Sequence, residues 1–200
     1  MPTIYYIPGR GGRLDQGLGL ELSARGFDLI GREISRRGSA DPNNAFGGLS
    51  FEQQLEVVQH DLRTHAWHPD ALVIGHSFGA YLIAHAILQL GNFPGKCLFV
   101  SPVLGASQTH GLYFKPPKAG ALKQAITNGS HPQIILDVLV GSRDEQSSIQ
   151  LCQKLIEVCH GSIYVAEGQG HRLEPNTVKT FLESWLPQQE ASSGVRTELP

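Results

Sequence analysis

The sequence predicts an α/β protein: a mostly parallel sheet of about six strands, helices on both faces and a minimal lid. Three observations carry that expectation. Short apolar runs alternate along the chain with amphipathic stretches of helical period. The runs are apolar throughout rather than on every second residue, as strands covered on both faces require. Many of the 23 glycines fall at the ends of those runs, where a parallel fold needs tight strand-to-helix turns. There is no internal repeat.

Taken in order, Ile4 to Ile7 is a short β-branched and aromatic strand running into Pro8-Gly9. Leu14, Leu18 and Leu22 make an apolar stripe, which predicts a helix over 13–25, and Phe27 to Ile34 is a weaker strand. Residues 35–49 read as a polar, glycine-rich loop. Ser50 and Gln53 form a capping box ahead of Phe51, Leu55, Val58 and Leu62, so a helix runs to about His65. Ala71 to Ile74 is the next strand, and Ala80, Ile83, Ala84 and Ile87 mark a helix over 80–90.

Cys97 to Val103 is a strand, whereas 104–120 has no regular period. A short helix over 122–128 leads to a β-branched strand over 134–140. Ile149, Leu151, Cys152, Leu155 and Ile156 then line a helix over 148–159. A last strand at 163–166 and a last helix at 177–186, with Val178, Phe181, Leu182 and Trp185 inward, complete one domain over 1–187. The polar tail at 188–200 is expected to be loose.

Composition narrows the function. With 40% hydrophobic and 17% charged residues and a net charge of −2, the chain has no attraction for nucleic acid or anionic lipid. Cys97, Cys152 and Cys159 lack metal-type spacing and read as core thiols in a reducing compartment. The start, MPTIYYIPG, shows neither a signal peptide nor a membrane span, so the cytoplasm is expected. No metal or cofactor is called for, and the composition leaves the oligomeric state open.

The chemistry centres on Gly75-His76-Ser77-Phe78-Gly79, between an apolar strand and a helix. A sharp turn there brings the flanking backbone too close for side chains at the two glycines and leaves the serine exposed above the sheet. The alternative is a serine that merely caps the helix. A nucleophilic Ser77 needs a base, and His171, in Ala166-Glu-Gly-Gln-Gly-His just past the last strand, is placed for it. His76 adjoins Ser77 but points away. The base needs an acid: Asp144, with three residues between it and the end of a buried strand, fits, with Glu145 as its rival and Asp137 and Glu167 less able to reach.

An oxyanion needs fixed N–H donors. Those expected are the amides of Phe78 and of the loop Pro8-Gly9-Arg10-Gly11-Gly12, most directly Arg10. The same loop lacks the Gly-Lys-Ser/Thr ending of a phosphate loop and the spacing of a dinucleotide fingerprint.

From Ile4 to Leu186 the sequence resembles the small, single-domain members of the α/β-hydrolase superfamily. The resemblance implies Ser77 as nucleophile, Asp144 as acid, His171 as base and the amides of Arg10 and Phe78 as oxyanion hole. Two features depart from the pattern: the usual first two antiparallel strands have no counterpart, and Pro8-Gly9 replaces the common His-Gly pair. The short insertion between Val103 and Ile134 implies a modest pocket walled by Leu104, Tyr113, Phe114, Phe78 and Leu173, with His110 touching substrate. Arg10, Arg13 or Lys115 at its rim could meet an acidic group.

The function expected is a serine hydrolase acting on a small-molecule ester or thioester through an acyl-enzyme. Amide hydrolysis uses the same residues. A non-hydrolytic enzyme of the same fold is a second class, and a binding protein a third that has no need of serine, acid and base together.

Overall fold

The computed structural model describes residues 2–34, 46–109 and 112–187, with the side chains of 108–114 outside that description. The strands are β1 (Thr3–Ile7), β2 (Asp28–Gly31), β3 (Leu72–His76), β4 (Lys96–Val100), β5 (Ser107–Thr109), β6 (Leu112–Phe114), β7 (Ile135–Gly141) and β8 (Ile163–Ala166). The helices are α1 (Leu18–Ala24), α2 (Phe51–Asp61), α3 (Phe78–Leu90), α4 (Ala119–Thr127), α5 (Ile149–Val158) and α6 (Pro175–Trp185). Six strands form one sheet in the order β2-β1-β3-β4-β7-β8, and every neighbouring pair is parallel.

Strand periodicity explains why the runs are apolar throughout. Tyr5 and Ile7, Val73, Cys97 and Phe99, and Leu136, Val138 and Val140 pack on one face against α2, α3 and α5. Ile4 and Tyr6, Ile74, Leu98 and Val100, and Leu139 point to the other face, beneath Leu22 of α1 and Leu182 and Trp185 of α6. Both faces are therefore dry. α3 lies under the sheet's centre and is buried almost all round, from Phe78 to Ile87.

The capping box is formed as the sequence predicts: Gln53 N–H donates to Ser50 Oγ, and Ser50 N–H to Gln53 Oε1 at 3.0 Å. α2 then passes into a π turn over Leu62–Ala66. The three cysteines are buried and unpaired.

β2 ends at Gly31 rather than Ile34 and β4 at Val100 rather than Val103, with Ser101 at φ 45° just beyond it, and two further elements differ from expectation. α1 begins at Leu18 rather than near 13, because Gly17 takes φ 52°, ψ −120° at its cap and breaks the leucine stripe. Within the segment without a period, β5 and β6 form an antiparallel hairpin; three-residue strands are too short to show alternation. The expected tail at 188–200 and most of the 35–49 loop lie outside the described residues. Among the described residues no helix is long and apolar enough to cross a membrane.

Chain order fixes where a ligand goes. β1 is followed by β2 on one side, and the chain then returns to lay β3 on the other side of β1. This reversal opens a crevice at the carboxyl ends of β1 and β3. The loop 8–12 and Ser77 both emerge there.

An ion pair between a half-exposed arginine and a buried aspartate ties the segment after β2 to α2. Arg32 forks onto Asp61 at 2.6 and 2.8 Å, and the Tyr5 hydroxyl donates to the same carboxylate at 3.1 Å. Asp61 is 3% exposed, so it depends on both donors. Arg32→Met is expected to destabilise the fold by about 2 kcal/mol, because it strands a buried charge. Urea unfolding measures this; a loss under about 0.5 kcal/mol would mean that the pair behaves as an exposed one.

Candidate active site

Ser77 stands between β3 and α3 with φ 53° and ψ −116°, a conformation that non-glycine residues rarely adopt. The two flanking glycines allow it. A Cβ on Gly75 would lie 2.5 Å from the Ala80 Cα, and one on Gly79 would run into the Ile7 carbonyl oxygen. The turn is pinned by Ser77 N–H donating to Val100 O at 2.9 Å and Val103 N–H donating to Ser77 O at 3.4 Å.

His171 lies in the loop after β8, with Nε2 2.9 Å from Ser77 Oγ. Its Nδ1 is 3.0 Å from each carboxylate oxygen of Asp144, after β7. A carboxylate only accepts, so the Nδ1 proton faces Asp144 and Nε2 is left to accept the Ser77 hydroxyl. Asp144 itself is fixed by the N–H groups of Gln146 and Ser147, which donate to Oδ1 at 2.8 and 3.0 Å. Burial alone would raise its carboxyl pKa; the hydrogen bond and charge of His171 and the donors of the 146–147 turn outweigh burial and hold it below the usual range. Of the two neighbouring acids it is Asp144 that reaches His171; Glu145 does not enter this chain of hydrogen bonds.

The loop after β1 lies against the serine: a Cβ on Gly9 would come within 3.0 Å of the Ser77 Cβ. Two of its amides are turned inward, Gly11 N–H to Ile34 O at 2.7 Å and Gly12 N–H to Gly9 O at 2.9 Å. The Arg10 guanidinium sits 4.0 Å from the centre of the Phe78 ring, stapling the loop to the start of α3. Phe78 N–H opens α3, at a position with no partner inside the helix.

The expected wall is only partly assembled. Leu104 is 1% exposed and packs in the core, so it backs the site and presents no surface to a ligand. Phe78 is 3% exposed beneath Arg10. Leu173 lines a cavity of about 580 Å³ beside the site. His110 and the side chains of Tyr113 and Phe114 lie outside the described residues. Arg13 pairs with Asp15 at 2.9 Å and Lys115 is exposed. His76 is half-buried on that cavity's wall, its ring 6.4 Å from that of His171, and burial above all pushes its pKa down to about 4. Among the described residues no group of three or more His, Cys, Asp or Glu is placed to hold a metal ion.

Sequence reasoning did not single out the amides of Gln146 and Ser147, or Arg172. The first are backbone groups of a turn, which residue types do not reveal. Arg172 adjoins His171 and carried no other signal.

No family model matches the chain, and a search of curated proteins finds no match. Solved structures do match. A soluble variant of monoglyceride lipase from Saccharomyces cerevisiae superposes with a TM-score of 0.63 at 13% identity, over 92% of this chain and 86% of that one. A monoacylglycerol lipase from Paleococcus ferrophilus gives 0.59 at 14%, over 92% and 93%. An S-formylglutathione hydrolase from Agrobacterium tumefaciens gives 0.56 at 15%, over 92% and 81%. The chain therefore has the α/β-hydrolase fold.

Gly79→Ala is expected to cost about 1–3 kcal/mol, because the added methyl meets backbone that cannot yield. An unchanged melting temperature would contradict the close approach. Asp144→Asn gives a pH signature. The folded-state pKa of Asp144 is depressed, so its stabilisation is complete above the unfolded value and lost as pH falls through the folded one. The gap in urea midpoint between wild type and Asp144→Asn should therefore be widest near neutrality and close below about pH 4. A gap independent of pH would contradict it.

Proposed function

We propose that the protein is a serine hydrolase that cleaves a small-molecule carboxylic ester or thioester through an acyl-enzyme. The observation that carries this reading is the unbroken chain from Ser77 Oγ through His171 to Asp144, at 2.9 and 3.0 Å, on a strained turn. A serine that only capped α3 would direct its hydroxyl to the helix amides, and Ser77 makes no such bond.

In this reading Ser77 Oγ attacks the carbonyl carbon as His171 Nε2 takes its proton. Asp144 holds the imidazole in the required tautomer and balances the imidazolium that forms. The amides of Phe78 and Arg10 receive the oxyanion, with Gly9 allowing the loop to approach. The imidazolium then gives its proton to the leaving oxygen or sulfur. A water, deprotonated by the same histidine, releases the acid and restores Ser77. Two structural neighbours are named lipases and one a hydrolase of S-formylglutathione, which keeps both oxygen and sulfur leaving groups in view here.

A fluorophosphonate probe should label the folded protein on Ser77, located by mass spectrometry. Ser77→Ala should abolish labelling and lower turnover of 4-nitrophenyl esters by about 10⁴ or more. A folded wild type that takes no label at Ser77 would overturn the reading.

A further inference from the structure

The cavity beside the triad lies on the α1 and α6 face of the sheet, and of the expected wall Leu173 lines it. Its inner surface is apolar: Tyr6, Leu18, Val100, Leu173 and Val178. At about 580 Å³ it falls within the range of small-molecule sites. Its position ties it to the chemistry. Pro8 and Gly12 come from the loop beside Ser77, His76 precedes Ser77, and Arg172 and Leu173 directly follow His171. Gln16 and Gly17, which stand where the leucine stripe alone would have continued a helix, line it ahead of α1.

Its charges are unequal. Glu21 is satisfied by Arg25 at 2.8 Å, and Arg13 is paired with Asp15 at 2.9 Å. His76 is held neutral by burial. Arg172 lines the cavity, is exposed, and has no ion pair or hydrogen bond among the described residues. An apolar chamber with one unmatched guanidinium at its mouth suits a ligand with an aliphatic body and an anionic end.

We propose that this cavity binds an aliphatic chain ending in a carboxylate, read by Arg172, and that the chain is the non-reacting part of the substrate. The second half rests on the hydrolase reading above; the first does not. The substrate class is then an ester or thioester bearing a distal carboxylate, on its acyl or its alcohol side. Binding remote from the reacting carbonyl would hold that carbonyl over Ser77.

Calorimetry on Ser77→Ala, which does not turn over, tests the site apart from catalysis. Octanoate should bind about tenfold more tightly than 1-octanol, a difference of about 1.4 kcal/mol, and adding Arg172→Gln should erase it. Arg172 is exposed, so this change leaves the core intact; Val178→Trp, which fills the chamber, should weaken both ligands. Equal affinities, or a difference that survives Arg172→Gln, would overturn the proposal whatever the activity.

With active protein, mono-4-nitrophenyl suberate is compared with 4-nitrophenyl octanoate, and 8-acetoxyoctanoate with octyl acetate. The pair that shows an anionic preference of about tenfold in kcat/KM, collapsing in Arg172→Gln, identifies the side that carries the charge. Hydrolysis with Ser77 labelled but no preference in either pair would overturn the substrate assignment and leave the hydrolase reading intact. An Arg172-dependent octanoate site in a protein whose Ser77 takes no label would do the reverse.

Discussion

The strained turn at Ser77 is the constraint to which the rest of the molecule answers. A left-handed serine costs on the order of 1–3 kcal/mol and persists only where its surroundings leave no alternative. Here they do. β3 is locked between β1 and β4 near the middle of the sheet, and α3 is buried on nearly every side, so neither can slide to relax the joint. Ser77 N–H and the Val103 N–H that binds Ser77 O tie the turn to β4 and the segment after it. Burial of α3, a 13-residue helix that is apolar almost throughout, far exceeds the strain it imposes.

The same topology gathers the other groups without further contrivance. In an all-parallel sheet every strand delivers its following loop to one edge, so segments from β1, β3, β7 and β8 meet although Ser77 and His171 are 94 residues apart. The glycines are the counterpart of that crowding. Gly79 lets α3 pass the Ile7 carbonyl, and Gly9 lets the first loop reach the serine. Asp144 needs a different device, because a buried carboxylate must be paid for in hydrogen bonds; two backbone amides and His171 supply them.

What was legible in the sequence follows from this division. Covered strands and helices announce themselves through composition and period, and the serine through its flanking glycines, so the sheet and the three hydrogen-bonded side chains could be named. The site's surroundings could not. α1 was overextended because three leucines at four-residue spacing outweighed a glycine whose cap conformation is visible only in the backbone. The hairpin of β5 and β6 rests on backbone pairing over three residues a side. Leu104 was assigned to a wall because it follows a strand, yet whether such a leucine turns inward is decided by packing. Arg172 drew no notice in the sequence, because its place on the cavity wall and the pairing of Glu21 and Arg13 beside it are set by the fold.

His76 shows how electrostatics completes the arrangement. Strand alternation turns it to the α1 and α6 face, where it meets the flat of the His171 ring at 6.4 Å and does not touch the serine. Were it cationic, its repulsion of an imidazolium at that distance would be about 2–3 kcal/mol at an effective dielectric near 20, a penalty on the proton transfer from Ser77 that the proposed mechanism requires. Burial removes the penalty by holding the ring near a pKa of about 4, hence uncharged near neutrality. In the proposed mechanism the carboxylate of Asp144 then faces a single positive charge, that of the His171 imidazolium. A neutral ring also adds no charge to the wall of the neighbouring chamber, so that Arg172 is the lining cation left for the proposed carboxylate ligand. Under these proposals one half-buried, neutral imidazole adjoins the base on one side and the ligand cavity on the other.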